Sequence, residues 1–267
     1  MKFKQKIISP AQVAGIIILA AAAAALFISP LLSIVLAFFY IILCVAACFF
    51  PQTNFLGPVI SHGNTGENLV ALTFDDGPTQ AVTRQVLDLL DKYSVQATFF
   101  VTGLNAVRLP EIIKEIIARG HTIGNHSFHH DPFLMLKGSN VINSEISTAQ
   151  EVLQKTGVYT LAFRPPVGIV NPQLAPLLKK LNMYCINFSC RAGDFGNRRV
   201  KDISRKILKK VMADDIILLH DVPPHRKEDQ PILLKEIENL LSGLKSKGLK
   251  VVPLSTLIGK KIMIESN

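Results

Sequence analysis

The chain has 267 residues, a formal charge of +9, 49% hydrophobic residues and four cysteines. That length holds one domain of ordinary size plus an N-terminal addition, and Cys44, Cys48, Cys185 and Cys190 form no closely spaced framework, which excludes a disulfide scaffold. The basic excess comes without a nucleic-acid-binding motif, and no repeat or low-complexity tract occurs beyond Ala20–Ala25, so those classes are set aside.

No Asp, Glu, Lys or Arg occurs between Lys6 and Glu67. Ala11–Ile28 and Leu31–Phe50 are nearly continuous apolar segments separated by Ser29-Pro30, each close to the ~20 residues that span a bilayer. They are too long for the ~7–15-residue core of a cleavable signal, so residues 1–52 read as a retained membrane anchor of one or two helices and 53–67 as a linker. Lys2, Lys4 and Lys6 favour a cytoplasmic N-terminus. One span would export the remainder; the Ser-Pro turn suits a hairpin, which would leave it in the cytoplasm at the inner membrane.

Residues 68–267 alternate strand-like and helix-like pieces. Leu69–Phe74, Ala97–Val101, His121–Gly124, Leu161–Arg164, Met183–Ser189, Ile216–His220 and Lys250–Pro253 read as strands, and Gln80–Tyr93, Pro110–Ala118, Val141–Lys155, Pro172–Leu181, Val200–Met212 and Gln230–Lys247 as helices. Repeated βα units imply an α/β fold, a closed or nearly closed barrel of about seven parallel strands.

The chemistry gathers at the strand ends. Asp75 and Asp76 follow Leu69–Phe74 and precede Gly77-Pro78, and neighbouring side chains on a strand point different ways. Two like charges this close need a cation or a shared proton, so a metal site with a spare base is expected; the alternative is an Asp-Gly turn capping the next helix. His126 and His130, on one helix face or folded across a tight loop, would complete a two-histidine, one-carboxylate group with Asp76. That donor set fits one divalent transition metal, zinc first with cobalt or nickel as alternatives, better than calcium or magnesium. His129 is the rival ligand, one residue out of register, and His62, His121 and His225 read as structural. Arg164 follows Leu161–Phe163, Asp194 follows Met183–Ser189, and His220 ends Ile216–Leu219. No Gly-Xaa-Ser-Xaa-Gly elbow or cysteine pattern points to covalent catalysis.

Val200, Ile203, Ile207 and Val211 keep helical spacing among Arg198, Arg199, Lys201, Arg205, Lys206, Lys209 and Lys210. This predicts an amphipathic helix whose basic face is either a solvated barrel surface or a contact with anionic lipid headgroups.

Five segments in this order resemble the polysaccharide deacetylase family, the NodB-homology domain of carbohydrate esterase family four: Thr73–Pro78, His126–His130, Arg164–Gly168, Asp194-Phe195 and Leu218–His220. The resemblance covers roughly residues 68–255, and five ordered motifs are more specific than any one of them. It implies an irregular seven-stranded (β/α) barrel and a metal-dependent hydrolase that removes an N-acyl group, most simply acetyl, from an amino sugar in a polysaccharide or lipid-linked glycan. It further implies Asp75 as base, Asp76, His126 and His130 as ligands, Arg164 orienting Asp75, His220 as acid and Asp194 tuning it. In the family the backbone N–H after Pro166, here that of Val167, is an oxyanion donor. Valine replaces the family's frequent tyrosine at 167, and Phe195 replaces its tryptophan, which changes a wall of the substrate site. A non-catalytic glycan-binding protein on the same barrel would have no need of Asp75 and His220 together.

Overall fold

The structure, a computed structural model, describes residues 8–265; Lys2, Lys4 and Lys6 lie outside the described residues. Two helices come first, α1 (Pro10–Ala25) and α2 (Pro30–Phe49). Each starts at a serine followed by proline, with the Ser9 and Ser29 hydroxyls accepting the N–H of Gln12 and Leu32. The helices form a hairpin in which the Tyr40 hydroxyl donates to the Ala11 carbonyl at 3.0 Å. Gly15 permits the close approach, since a Cβ there would lie 2.6 Å from the Tyr40 oxygen. α2 is long and apolar enough to cross a membrane (Pro30–Cys48, mean hydropathy 2.8). α1, at 16 residues, reaches only about 24 Å, less than the ~30 Å hydrocarbon core.

The segment read as a linker is laid against the rest of the protein. Leu56, Val59 and Ser61 are buried, Ile60 bridges to Ile186, and His62 bridges to Asp215. The elements that follow are β1 (Leu69–Asp75), α3 (Thr83–Lys92), β2 (Ala97–Val101), α4 (Gly103–Arg108), α5 (Pro110–Ala118), β3 (Thr122–Asn125), α6 (Ser139–Lys155), β4 (Val158–Thr160) and β5 (Ala162–Phe163). Then come α7 (Leu174–Lys180), β6 (Tyr184–Cys185), β7 (Cys190–Arg191), α8 (Ile203–Leu208), β8 (Ile216–His220), α9 (Gln230–Ser246), β9 (Lys250–Val251), α10 (Leu254–Ile258) and β10 (Met263–Glu265).

Seven strands form one parallel sheet in the order β6-β5-β3-β2-β1-β8-β7, and β9 extends the start of β1. The central strands are buried on both faces: six of seven residues in β1 and all five in β2 are out of solvent. Unbroken apolar runs suit this position, because helices cover the sheet. Consecutive strands β6 and β7 lie at opposite ends of the order, yet only residues 186–189 separate them. So short a connection brings the two sheet edges together and curls the sheet into a barrel.

Several predicted elements change in detail. Met183–Ser189 is not one strand: its start pairs with β5, and only after a break does the chain pair with β8, because the same run leaves one neighbour to join another. Leu161–Arg164 shrinks to β5, and β4 before it pairs antiparallel with β10. The basic helix predicted over Val200–Met212 is α8 alone; Asp202, at φ +64°, interrupts it. Val200, Ile203, Ile207 and Val211 are buried as their spacing requires.

Candidate active site

Strand register sets the site. Asp75, the last residue of β1, pairs with His220, the last of β8, and with Phe100 of β2. Val101 pairs with Asn125 at the end of β3, and Asn125 pairs with Phe163 at the end of β5. The residues just past these ends, Asp76, His126 and Arg164, therefore stand level on one rim, the face where (β/α) barrels carry their chemistry.

The two aspartates separate as strand alternation demands. Asp75 is buried, and the Arg164 Nη1 group donates to its Oδ1 at 2.6 Å. Arg164 is itself fully buried; it also donates to the Thr73 hydroxyl (2.8 Å) and the Asn187 carbonyl (3.0 Å), and lies 4.0 Å over the Phe100 ring. Asp76, at φ +76°, turns the other way, toward His126 and His130. Their Nε2 atoms stand 3.3 and 3.0 Å from its Oδ1. That oxygen is buried without an aligned hydrogen bond, and one donor atom from each of the three residues lies within 4.8 Å of the others. An orphaned carboxylate oxygen facing two imidazole nitrogens is a fit for a cation. The His126 Nδ1 meets the Arg164 carbonyl at 2.8 Å; since a carbonyl only accepts, Nδ1 carries the proton and Nε2 keeps its lone pair toward Asp76.

The His126–His130 segment is a tight loop, not a helix, with Ser127 at φ +65° and His130 at φ +57°. Glu145, on α6, holds it: one carboxylate oxygen accepts the N–H groups of Phe128 and His129, and the other meets His129 Nδ1 at 2.6 Å. His129 is thus committed to Glu145 and turned from Asp76, which separates it from His130. Sequence reading missed Glu145, which sits on a helix with no motif of its own. It also missed Asn197, whose amide donates to the His220 and Val222 carbonyls at 2.9 and 2.7 Å. Asp221 was missed too; it accepts the Gly77 N–H (3.1 Å) and the Thr83 hydroxyl (2.6 Å). Its adjacency to His220 was the one available signal.

Asp194 is buried 2.6 Å from His220 Nδ1. Burial disfavours the His220 imidazolium, but that hydrogen bond, the Asp194 charge and the charges of Asp76 and Asp75 outweigh it and lift the pKa to about 9. Burial would likewise raise Asp76, yet the imidazoles that face it, His126 first and then His130 and His220, hold the carboxyl well below its usual range. Asp75, Asp76, His126, His130, Asp194 and His220 line one cavity of about 640 Å³. Val167 and Phe195 also line it, both exposed; Val167 adopts φ +54°, a conformation costly for a β-branched residue and of the kind held at working sites. Pro166 is buried beside it. Arg198 lines the cavity as well, and Arg199 stacks 5.3 Å over Phe195, so the basic run expected on one helix divides between this cavity and α8.

The curled parallel barrel thus gathers at one rim an Asp-His-His group, an arginine-held aspartate and an aspartate-held histidine. A model of the polysaccharide deacetylase family matches residues 62–186. The chain is 34% identical over 206 residues to the peptidoglycan-N-acetylmuramic acid deacetylase PdaA of Bacillus subtilis, covering 75% of each chain. It is 33% identical over 195 residues to the peptidoglycan-N-acetylglucosamine deacetylase PgdA of Listeria monocytogenes, covering 73% of this chain and 40% of that one. It thus spans less than half of the Listeria protein. A crystal structure of a peptidoglycan N-acetylglucosamine deacetylase superposes with a TM-score of 0.69 at 28% identity, over 76% of this chain and 94% of that one. The chain belongs to the polysaccharide deacetylase family.

Proposed function

We propose that this protein hydrolyses the N-acyl group, most simply acetyl, of an amino sugar in a glycan or lipid-linked glycan. The observation that carries the reading is the placement of Asp76, His126 and His130 in one cavity with the Asp75 carboxylate and the His220 imidazole. Asp76, His126 and His130 would hold one divalent transition metal, zinc or otherwise cobalt or nickel, which when bound activates water and polarises the amide carbonyl. Asp75 takes the proton of the attacking water; Arg164 holds the carboxylate in place and aims it. The oxygen that gains charge is assigned the Val167 N–H as donor. His220, held as imidazolium by Asp194, gives its proton to the departing amine as the C–N bond breaks, leaving acetate and a free amino sugar. Phe195 presents an aromatic face to the sugar.

Metal retention tests this arrangement. The wild-type protein is expected to hold one divalent ion per chain by elemental analysis, and His126→Ala or His130→Ala to weaken retention by at least ~10-fold. His129→Ala should leave it unchanged. Unaltered retention in both of the first two variants would remove the triad.

We further infer that residues 8–52 anchor the enzyme in a membrane, which the apolar surface of the hairpin supports: Phe27, Ile28 and Leu31 are exposed, as are most large side chains of α2. The hairpin foot, through Ala11 and Ala47, shares one apolar cluster with Leu134 and Met135, on the loop just after His130. Pro132 of that loop lines the cavity, which favours a glycan held near the membrane, such as a lipid-linked one. The full chain should stay in the membrane pellet after alkaline carbonate, and deletion of residues 30–48 should release it; equal release of both disproves the anchor. A C-terminal reporter read from both sides decides whether the domain is cytoplasmic. Contact of Arg205, Lys206, Lys209 and Lys210 with anionic headgroups belongs to this reading and predicts salt-sensitive vesicle binding.

A further inference from the structure

Two guanidiniums in the cavity have no part in the chemistry above. Arg191 ends β7, and Arg198 follows the Asp194–Asn197 turn; both line the cavity and both are exposed. Arg191 is stacked 5.3 Å over the Phe188 ring, also a lining residue, which steadies its approach to the cavity. Between them in the chain, Gly193 and Gly196 add no side chain to the wall, and a Cβ on Gly193 would meet nothing within 4 Å, so open space adjoins that stretch of the lining.

Neither arginine forms an ion pair among the described residues. Arginines on the barrel flank do: Arg84 with Glu115 at 2.7 Å, Arg119 with Asp88, Asp91 and Glu115, and Arg205 with Asp202 at 3.0 Å. The three carboxylates that line the cavity are already engaged, Asp75 by Arg164, Asp76 by two histidines and Asp194 by His220. Two further cations beside an imidazolium and a metal site are mutually repulsive unless an anion joins them. Among the described residues no unengaged carboxylate lines the cavity to do so. The substrate is then the source.

Resting on the reading of this cavity as an amino-sugar deacylase site, we propose that the substrate carries an anionic oxygen group, a carboxylate or a phosphate, close to its N-acyl group. Arg191 and Arg198 bind that group. The planar guanidinium fork matches both anions, and each charge-assisted pair adds specificity as well as affinity. The two arginines are specificity determinants, set apart from the proton-transfer residues.

The test uses matched N-acetylated disaccharides whose reacting sugar is neutral, carries an ether-linked carboxylate, or carries a phosphate. The full-length, metal-loaded protein is expected to favour one anionic sugar over the neutral one in kcat/KM by ~10–100-fold, the range of hydrogen bonds to charged groups. Whether the carboxylate or the phosphate sugar leads identifies the source of the anion. In Arg191→Gln and Arg198→Gln that ratio should shrink toward one, mainly through KM, and Arg198→Lys should restore part of it. Rising salt should shrink the wild-type ratio too. A wild type without anionic preference, or glutamine variants that keep it, overturns the proposal. Should wild type release acetate from none of the three, the deacylase reading fails separately. Calorimetric binding of the same sugars then decides: tighter anionic binding lost in the glutamine variants supports the anion site, and equal binding of all three ends it.

Discussion

Arg164→Met is expected to destabilise the protein by about 3–5 kcal/mol, the usual consequence of leaving a buried charge without its partner. Arg164 and Asp75 are both buried and meet at 2.6 Å, so the substitution strands the carboxylate and also removes donors from the Thr73 hydroxyl and the Asn187 carbonyl. Urea or thermal unfolding of purified protein measures the effect, which at about 2–4 °C per kcal/mol should exceed 5 °C in melting temperature. Adding Asp75→Asn should recover part of the loss, because neither charge then remains in the interior. Arg164→Lys should not rescue fully, since one ammonium lacks the planar fork that reaches Asp75 and Asn187 together. A loss below about 1 kcal/mol in the single variant would mean that water reaches Asp75 and that the pair is ornamental.

Asp75→Asn should lower the rate of acetate release by ~10²–10⁴-fold while metal content persists, the usual worth of a positioned general base. It also leaves the buried Arg164 guanidinium without its counter-charge, so the variant should be less stable and its rate is read well below its melting temperature. Its amide keeps the size of the carboxyl, and it is Asp76 that faces the two histidines, so metal retention separates the two aspartates. The pH profile adds a second readout. His220, lifted to about 9, supplies its proton below that value, so activity falls as pH rises through it. A cation beside Asp76 cancels part of the negative field and moves this alkaline limb below 9. The residual activity of Asp75→Asn should keep that limb, which belongs to His220. Equal rates in variant and wild type would take Asp75 out of the mechanism.

The rim was legible because strand logic makes it so. A buried parallel strand reads as an apolar run, and its first polar residues past the end must face the rim, which located Asp75, Asp76, Arg164 and His220. The choice between His129 and His130 was not legible. It turns on positive φ at Ser127 and His130 and on Glu145, a residue that meets the loop only through folding. The split of Met183–Ser189 was hidden for a related reason: periodicity describes one strand's faces, not a change of neighbours midway. α8 was overdrawn because the buried positions Val200 and Val211 keep helical spacing outside the helix. Grouping Arg198 with the basic helix followed from proximity in the chain; the turn around Asn197 carries it into the cavity instead.

The pairing of β1 with β8 also fixes when in the life of the chain the centre comes into being. The Thr73 hydroxyl donates to the Ile217 carbonyl across 144 residues of sequence. At ~5–20 residues per second, translation takes roughly 7–30 s to bridge that interval. Throughout it, β1 lacks one neighbour and presents an unpaired edge. Asp75 and His220 lie far apart in the chain, so a nascent chain that has not yet reached β8 holds only the first of them. Contacts this distant also slow folding, since the intervening loop must close before they repay its entropy. A chaperone that shields the β1 edge while the chain grows would therefore raise the yield of active protein far more than its final stability.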